Sequence, residues 1–351
     1  MMAAGLKFSA TRMVGSGHPA LVVAEIGQNH NGQPELAEQL IDAAAWAGAD
    51  AVKFTKRDLV CELSTQARLQ PYLAPQSFGA TYGEHRQRLE LSAEVYAELV
   101  ARARRWGLLV FGTGCDIPSA NLLHQLGADA LKIASRDLDN LPLISHVSRL
   151  NRPVIASTGM SSLEQIDRAV QILQREQSPF LLLQCTSLYP TPWENVHLRS
   201  LATLQSRYQC LVGFSDHTPG ILIPPVAVAL GAVLIEKHLT LSRRLKGSDH
   251  ASSLEPEEMR LMIENIRQVE LALGQADKPL PPAVAGMRAK LGRSLVVRVP
   301  VAEGDVFQAD MLTLKCPGNG LSWLELDQVV GRRARRPLPA DSVLTRDDLM
   351  E

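Results

Sequence analysis

Two short segments of this 351-residue chain place histidines where they could do chemistry. Gly213-Phe214-Ser215-Asp216-His217 and Leu234-Ile235-Glu236-Lys237-His238 are apolar runs that each end in a histidine beside carboxylates. The two histidines are 21 residues apart, which suits one strand–helix step of a parallel α/β unit. Imidazoles at the C-terminal ends of neighbouring parallel strands lie at the same edge of the sheet, where together they can bind a divalent metal. We therefore predict a metal site at His217 and His238, with Glu25, Asp216 and Glu236 as candidate further ligands or orienting groups.

Two lysines interrupt apolar runs elsewhere in the chain, Lys53 between Val52 and Phe54 and Lys132 between Leu131 and Ile133. A buried ammonium without a partner is costly, so each lysine should face an anion. With serine and threonine hydroxyls nearby, the pair predicts a pocket for a phosphate or a carboxylate. One alternative is that a lysine pairs with Glu25 or Asp137 for structural reasons. Another is a Schiff-base aldolase with a lysine nucleophile, but that chemistry needs no metal, so the histidine pair weighs against it.

Eight apolar runs with helical segments between them must position these residues. That alternation favours a closed (β/α)8 barrel over an open doubly wound sheet, and the active site of a barrel lies at the C-terminal ends of its strands. We predict strands near Leu21–Ile26, Ala51–Thr55, Leu108–Gly112, Ala130–Ala134, Val154–Ser157, Phe180–Cys185, Leu211–Phe214 and Val233–Glu236. Polar residues stand at or just beyond nearly every one of these ends, which packing alone does not explain.

The pattern of alternating apolar runs and helical segments ends near residue 275. We assign residues 1–275 to the barrel, within which Val60–Leu91 is longer than a barrel loop should be and is predicted to be a functional lid. The stretch Lys278-Pro279-Leu280-Pro281-Pro282 predicts a linker over 276–290. Short runs separated by Pro and Gly predict a small β-rich domain over 291–351. Its strands are predicted at Ser294–Val299, Met311–Leu314, Val329–Arg332 and Val343–Thr345.

Composition argues against several classes of protein. The net charge of −1 argues against a nucleic-acid or membrane-surface binder. No apolar run reaches the roughly 18 residues of a membrane span, and the first 20 residues contain no secretory signal. Five scattered cysteines without CxxC spacing favour reduced thiols and a cytoplasmic location.

The strand-end segments resemble the sialic acid synthase family, whose members condense phosphoenolpyruvate with N-acetylmannosamine or its relatives. The likeness runs from the first predicted strand to the end of the chain and implies a TIM barrel followed by an antifreeze-like (SAF) domain. The matching stretches are Ala24–Gly32, Gly48–Phe54, Ser157–Met160, Gln184–Pro190, Gly213–Thr218, Glu236–Thr240, Lys246–His250 and, in the C-terminal domain, Lys315–Gly320.

The resemblance implies a role for each candidate residue. His217 and His238 would hold a divalent ion, usually Mn2+ with Mg2+ or Co2+ as alternatives, and Glu25 would lie near that ion and the reacting aldehyde. Tyr189 and Asp249 match positions that face the sugar, and we add Asp137 as a substrate-binding candidate. A domain-swapped homodimer is also implied, in which the C-terminal domain of one subunit caps the barrel of the other. The positions that match a phosphoenolpyruvate cradle are Lys53, Thr113, Lys132, Ser135, Ser157, Ser187 and Ser215.

The expected sugar pocket departs from the family pattern. Thr55 stands where the family often has Gln, Arg136 interrupts a Gly-Ser-Gly stretch, and Cys316 stands where many bacterial members have an arginine. The acceptor therefore stays open between N-acetylmannosamine, its 6-phosphate and the 2,4-diacetamido sugars that lead to legionaminic or pseudaminic acid. The segment Thr81–Arg86 is similar to the animal-type enzyme, so Arg86 and Arg136 are candidates to bind a sugar phosphate. A non-catalytic sugar- or ice-binding module is suggested by the C-terminal domain alone.

Overall fold

The computed structural model describes residues 5–350, which fall into two compact units. The described residues up to Gly274 form the first unit, and those from Gln275 onward form the second. No helix within residues 5–350 is long and apolar enough to cross a membrane.

The first unit is built on a closed eight-stranded parallel barrel, which confirms the predicted fold class. A short antiparallel hairpin of β1 (Leu6–Lys7) and β2 (Met13–Val14), which the sequence did not predict, precedes it. The strands follow one another around the barrel in chain order, and the last pairs with the first. They are β3 (Leu21–Gly27), β4 (Ala51–Lys56), β5 (Leu109–Gly114), β6 (Ala130–Ile133), β7 (Val154–Ser157), β8 (Phe180–Cys185), β9 (Leu211–Asp216) and β10 (Leu234–His238).

These strands have nearly continuous hydrophobic sequences because both of their faces are buried in apolar layers. One face of each strand packs against the surrounding helices, and the other fills the barrel interior. Phe8 of the hairpin joins the interior cluster and stacks on Phe111 of β5 with 5.2 Å between ring centroids. The interior below the strand ends is therefore packed rather than open.

The helices follow from amphipathic spacing and good caps. In the segment Leu163–Arg175, the buried residues Ile166, Ala169, Val170 and Leu173 recur at helical spacing, and Ser162 caps the start. The sequence pattern predicts helices at Glu35–Trp46, Ala93–Trp106, Ser119–Leu126, Ser162–Arg175 and Glu257–Leu273, and the observed bounds agree to within about two residues. The helices of this unit are α1 (Pro34–Ala47), α2 (Leu59–Glu62), α3 (Thr65–Leu69), α4 (Tyr82–Leu89), α5 (Ala93–Arg105), α6 (Ile117–Gln125), α7 (Leu141–Ser148), α8 (Leu163–Arg175), α9 (Ser200–Tyr208), α10 (Ile223–Ala229) and α11 (Pro256–Leu273).

The long segment after β4 is a folded insertion rather than an open loop, because it contains α2, α3 and α4. Thr81 and Glu84 form a capping box at the start of α4. His85 on that helix is buried, with its ring 4.7 Å from the ring of Tyr72 and 5.9 Å from that of Phe78. This aromatic cluster gives the insertion its own small packing centre.

The second unit contains a two-stranded antiparallel sheet of β11 (Ser294–Val297) and β12 (Leu312–Lys315). Its helices are α12 (Ala285–Leu291) and α13 (Leu326–Val329). Two further runs predicted as strands differ: Val329 ends α13, and Val343 makes only an isolated bridge. In so small a unit, short apolar runs are buried whether or not they form strands, so their sequence pattern resembles that of a strand.

The segment predicted as a linker, 276–290, falls within the second unit and includes most of α12. Helix-forming residues follow the prolines there, and the Ala289 carbonyl accepts a hydrogen bond from the Gly318 amide. At the other end of the unit, buried Asp348 accepts from the amide and hydroxyl of Thr345 and pairs with Arg336 at 2.8 Å. Burial acts to raise the pKa of Asp348, but these hydrogen bonds outweigh it, so the pKa is lowered.

Candidate active site

A cavity of about 230 Å³ opens at the C-terminal ends of the barrel strands. Asp137, in the 3-10 turn Ser135–Asp137 and 3.5 Å from Arg136, is not among its lining residues, and neither are the candidates Asp216 and Arg86. The other predicted site residues all line the cavity, namely Glu25, Lys53, Thr113, Lys132, Ser135, Ser157, Ser187, Tyr189, Ser215, His217, His238 and Asp249.

Two lysines and two glutamates form a buried ionic cluster on the cavity floor. Lys53 Nζ lies 2.6 Å from Glu25 and 3.3 Å from Glu236, and it donates to the hydroxyl of Thr113 at 3.2 Å. Lys132 Nζ lies 3.7 Å from the other carboxylate oxygen of Glu236. The structural pairing of a lysine with Glu25, considered above as an alternative, is therefore present, and Glu236 is a further partner.

In this cluster, burial raises the pKa of a carboxyl group and the attraction of the lysines lowers it, and the balance differs between Glu25 and Glu236. Burial raises the pKa of Glu25 to about 7 despite the attraction of Lys53. Burial also acts to raise the pKa of Glu236, but Lys132 and Lys53 outweigh it and lower that pKa to about 2. Of the two carboxyls, Glu25 is therefore the one that can exchange a proton near neutral pH.

Hydroxyls beside Lys132 complete a set of donors for an anion. Lys132 Nζ donates to the Ser157 hydroxyl at 2.6 Å. The hydroxyl of Ser135 accepts from the Gly159 amide at 3.0 Å, which ties the ends of β6 and β7 together. A Cβ at Gly159 would lie 2.8 Å from the hydroxyl oxygen of Ser187 and 3.1 Å from the backbone carbonyl carbon of Cys185, so a larger residue would crowd this side of the cavity. The Ser-Thr-Gly-Met motif thus brings three serines to one side of the cavity.

The two histidines face each other at the ends of β9 and β10, with ring centroids 5.4 Å apart. His217 Nδ1 donates to the Thr186 carbonyl at 3.0 Å, which leaves its Nε2 free to bind a ligand. His238 Nδ1 is buried, has no hydrogen-bond partner in the described part of the chain, and lies 4.0 Å from a carboxylate oxygen of Asp249. Tyr189 packs its ring 4.1 Å from that of His217.

The electrostatics of the histidine pair suit at least one neutral imidazole. Burial lowers the pKa of His238 to about 3, so this ring is uncharged at neutral pH. Burial acts in the same direction on His217, but Cys185 and the Thr186 carbonyl outweigh it, and the pKa of His217 is raised. Among the described residues no group of three or more His, Cys, Asp or Glu side chains forms a ready-made metal site. The donor set for a metal here is therefore two imidazoles, which fits a divalent ion that takes its other ligands from outside the protein.

A buried charge pair joins the two strands whose ends carry the histidines. Lys237 is fully buried and donates to Asp216 at 2.6 Å and to the Thr218 carbonyl at 2.5 Å. The sequence makes Asp216 a candidate ligand or orienting group, but strand alternation turns it away from the cavity. It links β9 to β10 instead.

Sequence reasoning missed several residues that line the cavity, chiefly Arg57 and Cys185. Cys185 Sγ lies 3.8 Å from His217 Nδ1. Arg57 follows Lys53 and Thr55 beyond the end of β4, and that position was the available signal. Arg136 lines the cavity too, whereas Arg86 is not a lining residue and donates to Tyr82 and Gln28.

Comparison with known proteins gives matches along most of the chain. A model of the NeuB family matches residues 40–278, and a model of the SAF domain matches residues 292–350. The human N-acetylneuraminate-9-phosphate synthase is 39% identical over 311 residues, covering 88% of this chain and 87% of that protein. The N,N'-diacetyllegionaminic acid synthase of Campylobacter jejuni is 36% identical over 328 residues, covering 92% of this chain and 98% of that protein. The crystal structure of an N-acetylneuraminic acid synthetase from Leptospira borgpetersenii, in complex with citrate, superposes with a TM-score of 0.72 at 32% identity, covering 82% of this chain and 95% of that one.

Proposed function

The chain belongs to the NeuB family, and we propose that it condenses phosphoenolpyruvate with the open-chain aldehyde of an N-acylated amino sugar, forming a nonulosonic acid and releasing phosphate. The observation that carries this proposal is a single cavity in which lysines and hydroxyls lie beside two facing imidazoles. The relatives named above are synthases of N-acetylneuraminate-9-phosphate and of N,N'-diacetyllegionaminic acid, which supports the same reaction type.

Phosphoenolpyruvate would bind to the lysine and hydroxyl side of the cavity. Lys132 with Ser157, 2.6 Å apart, and Lys53 with Thr113 would each donate hydrogen bonds to an anionic group of phosphoenolpyruvate. Charge-assisted hydrogen bonds of this kind are about twice as strong as neutral ones. They would also stabilise the negative charge that moves onto phosphate as the C–O bond breaks.

His217 and His238 would hold a divalent ion, for which we propose Mn2+. When bound, such an ion supplies Lewis-acid polarisation of a carbonyl oxygen. Thr186 fixes the ring of His217 through Nδ1, and the Tyr189 ring restricts its movement. Asp249, 4.0 Å from His238, would orient that ring and face the sugar.

Glu25 would manage the protons of the reaction. Carbon C3 of phosphoenolpyruvate forms the new bond to the aldehyde carbon, and Glu25 gives its proton to the aldehyde oxygen. Water then adds to the cationic C2 and returns a proton to Glu25. Collapse of that centre breaks the bond to phosphate, and the proton of the added hydroxyl leaves with phosphate, so atoms and charges balance.

For the acceptor we propose N-acetylmannosamine or its 6-phosphate, with a 2,4-diacetamido sugar as the alternative. We also propose, from the family resemblance, a homodimer in which the SAF domain of one subunit covers the barrel of the other. Size-exclusion chromatography with light scattering tests the dimer directly, because a monomer at working concentration would contradict it.

The reaction is tested by measuring phosphate released from phosphoenolpyruvate with Mn2+ and each candidate sugar. We expect release with one class of sugar, loss of release with a chelator, and recovery on adding back the metal. His217→Ala and His238→Ala should each abolish turnover, and a near-normal rate in either would contradict the metal assignment. Borohydride trapping of a pyruvate adduct that is indifferent to chelator would select the Schiff-base aldolase instead.

A further inference from the structure

Arg57 is a buried cation whose terminal donors have no acceptor within residues 5–350. Its side chain is 1% exposed, and it lines the cavity. Neither Nη1 nor Nη2 has a hydrogen-bond partner among the described residues. A guanidinium is always charged in proteins, and leaving its buried donors unsatisfied is costly. Such an arrangement favours an anion from outside the protein.

The carboxylates near Arg57 do not meet this need. Glu90 lies 3.1 Å from Nε, but it also accepts from Lys56 at 2.8 Å. Glu62 lies 3.7 Å from Nε, beyond hydrogen-bond distance. Both carboxylates therefore approach the inner nitrogen of the guanidinium, and neither of them reaches the outer pair of nitrogens.

Arg136 reaches the same part of the cavity from the end of β6. It lines the cavity, is 36% exposed, and lies 3.7 Å from Glu62, the carboxylate that also faces Arg57. One of its nitrogens donates to Cys115 at 3.0 Å. The two arginines thus occupy the arc of the barrel from β4 to β6, while the histidines occupy β9 and β10 on the other side.

We propose that Arg57 and Arg136 form a second anion subsite that binds a phosphomonoester dianion. Planar guanidinium groups bind phosphate oxygens through paired N–H donors, and Arg57 has such a pair free. Lys53 and Lys132, by contrast, already face Glu25 and Glu236. The inference rests on the proposed function only for the source of the phosphate, which is either phosphoenolpyruvate or a phosphorylated acceptor sugar.

Calorimetric titration of the full-length protein with inorganic phosphate tests the subsite without assuming any reaction. We expect Arg136→Gln and Arg57→Gln to bind phosphate about 10- to 100-fold more weakly than the unaltered protein. Arg57→Lys, which keeps the buried charge, covers the case in which Arg57→Gln fails to fold. Arg102→Gln is the matched control for Arg136→Gln, because Arg102, like Arg136, is partly buried beside two carboxylates but does not line the cavity. Phosphate binding by Arg136→Gln and Arg57→Lys equal to that of the unaltered protein would overturn the proposal.

Steady-state kinetics then identifies the source of the phosphate. A tenfold or larger rise in KM for phosphoenolpyruvate in the arginine variants, with KM for the sugar unchanged, supports the subsite and assigns it to phosphoenolpyruvate. A rise confined to a phosphorylated sugar supports it and assigns it to the acceptor. Unchanged KM for both would overturn it. If the unaltered protein binds phosphate but releases none from phosphoenolpyruvate with any sugar, the proposed function fails while the subsite stands.

Discussion

Removing the ammonium of Lys237 should destabilise the barrel strongly, even though this residue lies outside the cavity. Lys237 and Asp216 are both fully buried, and their 2.6 Å contact joins β10 to β9. In Lys237→Met the Asp216 carboxylate keeps its two hydrogen bonds from Thr218, at 2.9 Å and 3.1 Å, but loses its buried cation. Leaving one partner of a buried pair uncompensated costs about 3–5 kcal/mol. For a unit of this size we expect the midpoint of thermal unfolding to fall by roughly 10 °C.

The measurement is thermal unfolding of the full chain by circular dichroism, for single and double variants. Asp216→Asn combined with Lys237→Met removes both charges and keeps an acceptor for Thr218, so we expect it to be more stable than Lys237→Met alone by roughly 1 kcal/mol or more. Arg168→Met is the control, because Arg168 pairs with Glu164 on an exposed helix face and should change stability by less than about 0.5 kcal/mol. The reasoning is refuted if Lys237→Met behaves like this control, or if the double variant is as destabilised as the sum of the singles.

Three further substitutions test other parts of the structure, the first by the same thermal unfolding measurement. Gly213→Ala should destabilise the barrel by about 1–3 kcal/mol, because its Cβ would lie 2.5 Å from a carbonyl oxygen of β10; Gly286→Ala, with open space around it, should not. The pKa of Asp348 is lowered in the folded protein, so its stabilising effect is present above the unfolded pKa of about 4 and is lost as the pH falls below it. Acid unfolding of the second unit should show that loss, and Asp348→Asn should be less sensitive to acid. Ser157→Ala removes the acceptor of an active-site lysine, so kcat/KM for phosphoenolpyruvate should fall roughly tenfold, and an unchanged value would contradict the anion cradle.

The parts of the fold that the sequence predicted are those with strong local signals. Alternating apolar runs and helices predicted the barrel, and the polar residues that end those runs predicted most of the cavity lining. The hairpin Leu6–Val14 was missed because its strands are two residues long and only the packing of Phe8 on Phe111 explains them. In the second unit, Val329 and Val343 were predicted in strands because short apolar runs do not distinguish a strand from a buried turn.

The candidate site shows a sharper limit, because its charges are partnered across strands that are distant in sequence. Nothing in the segment around Lys53 indicates that Glu236 approaches it to 3.3 Å. Arg57 was missed because a charged residue in a loop after a strand is normally solvated, whereas here the insertion and Glu90 bury it. Local sequence indicates the residue types at the cavity, and only the closed barrel determines which of them remain without a partner.

Strand alternation divides the charges of the last two barrel strands into two groups. At the end of β9, Ser215 and His217 flank Asp216 and share the opposite face from it. On β10, Glu236 and His238 flank Lys237 in the same way. If the histidines face the cavity, then Asp216 and Lys237 must face away from it on neighbouring strands, where opposite charges will pair. The short motifs Ser-Asp-His and Glu-Lys-His therefore each have two roles. Their first and third residues line the cavity, and their middle residues, Asp216 and Lys237, join the two strands that carry the imidazoles. It follows that weakening the Asp216–Lys237 pair should also change the distance between His217 and His238.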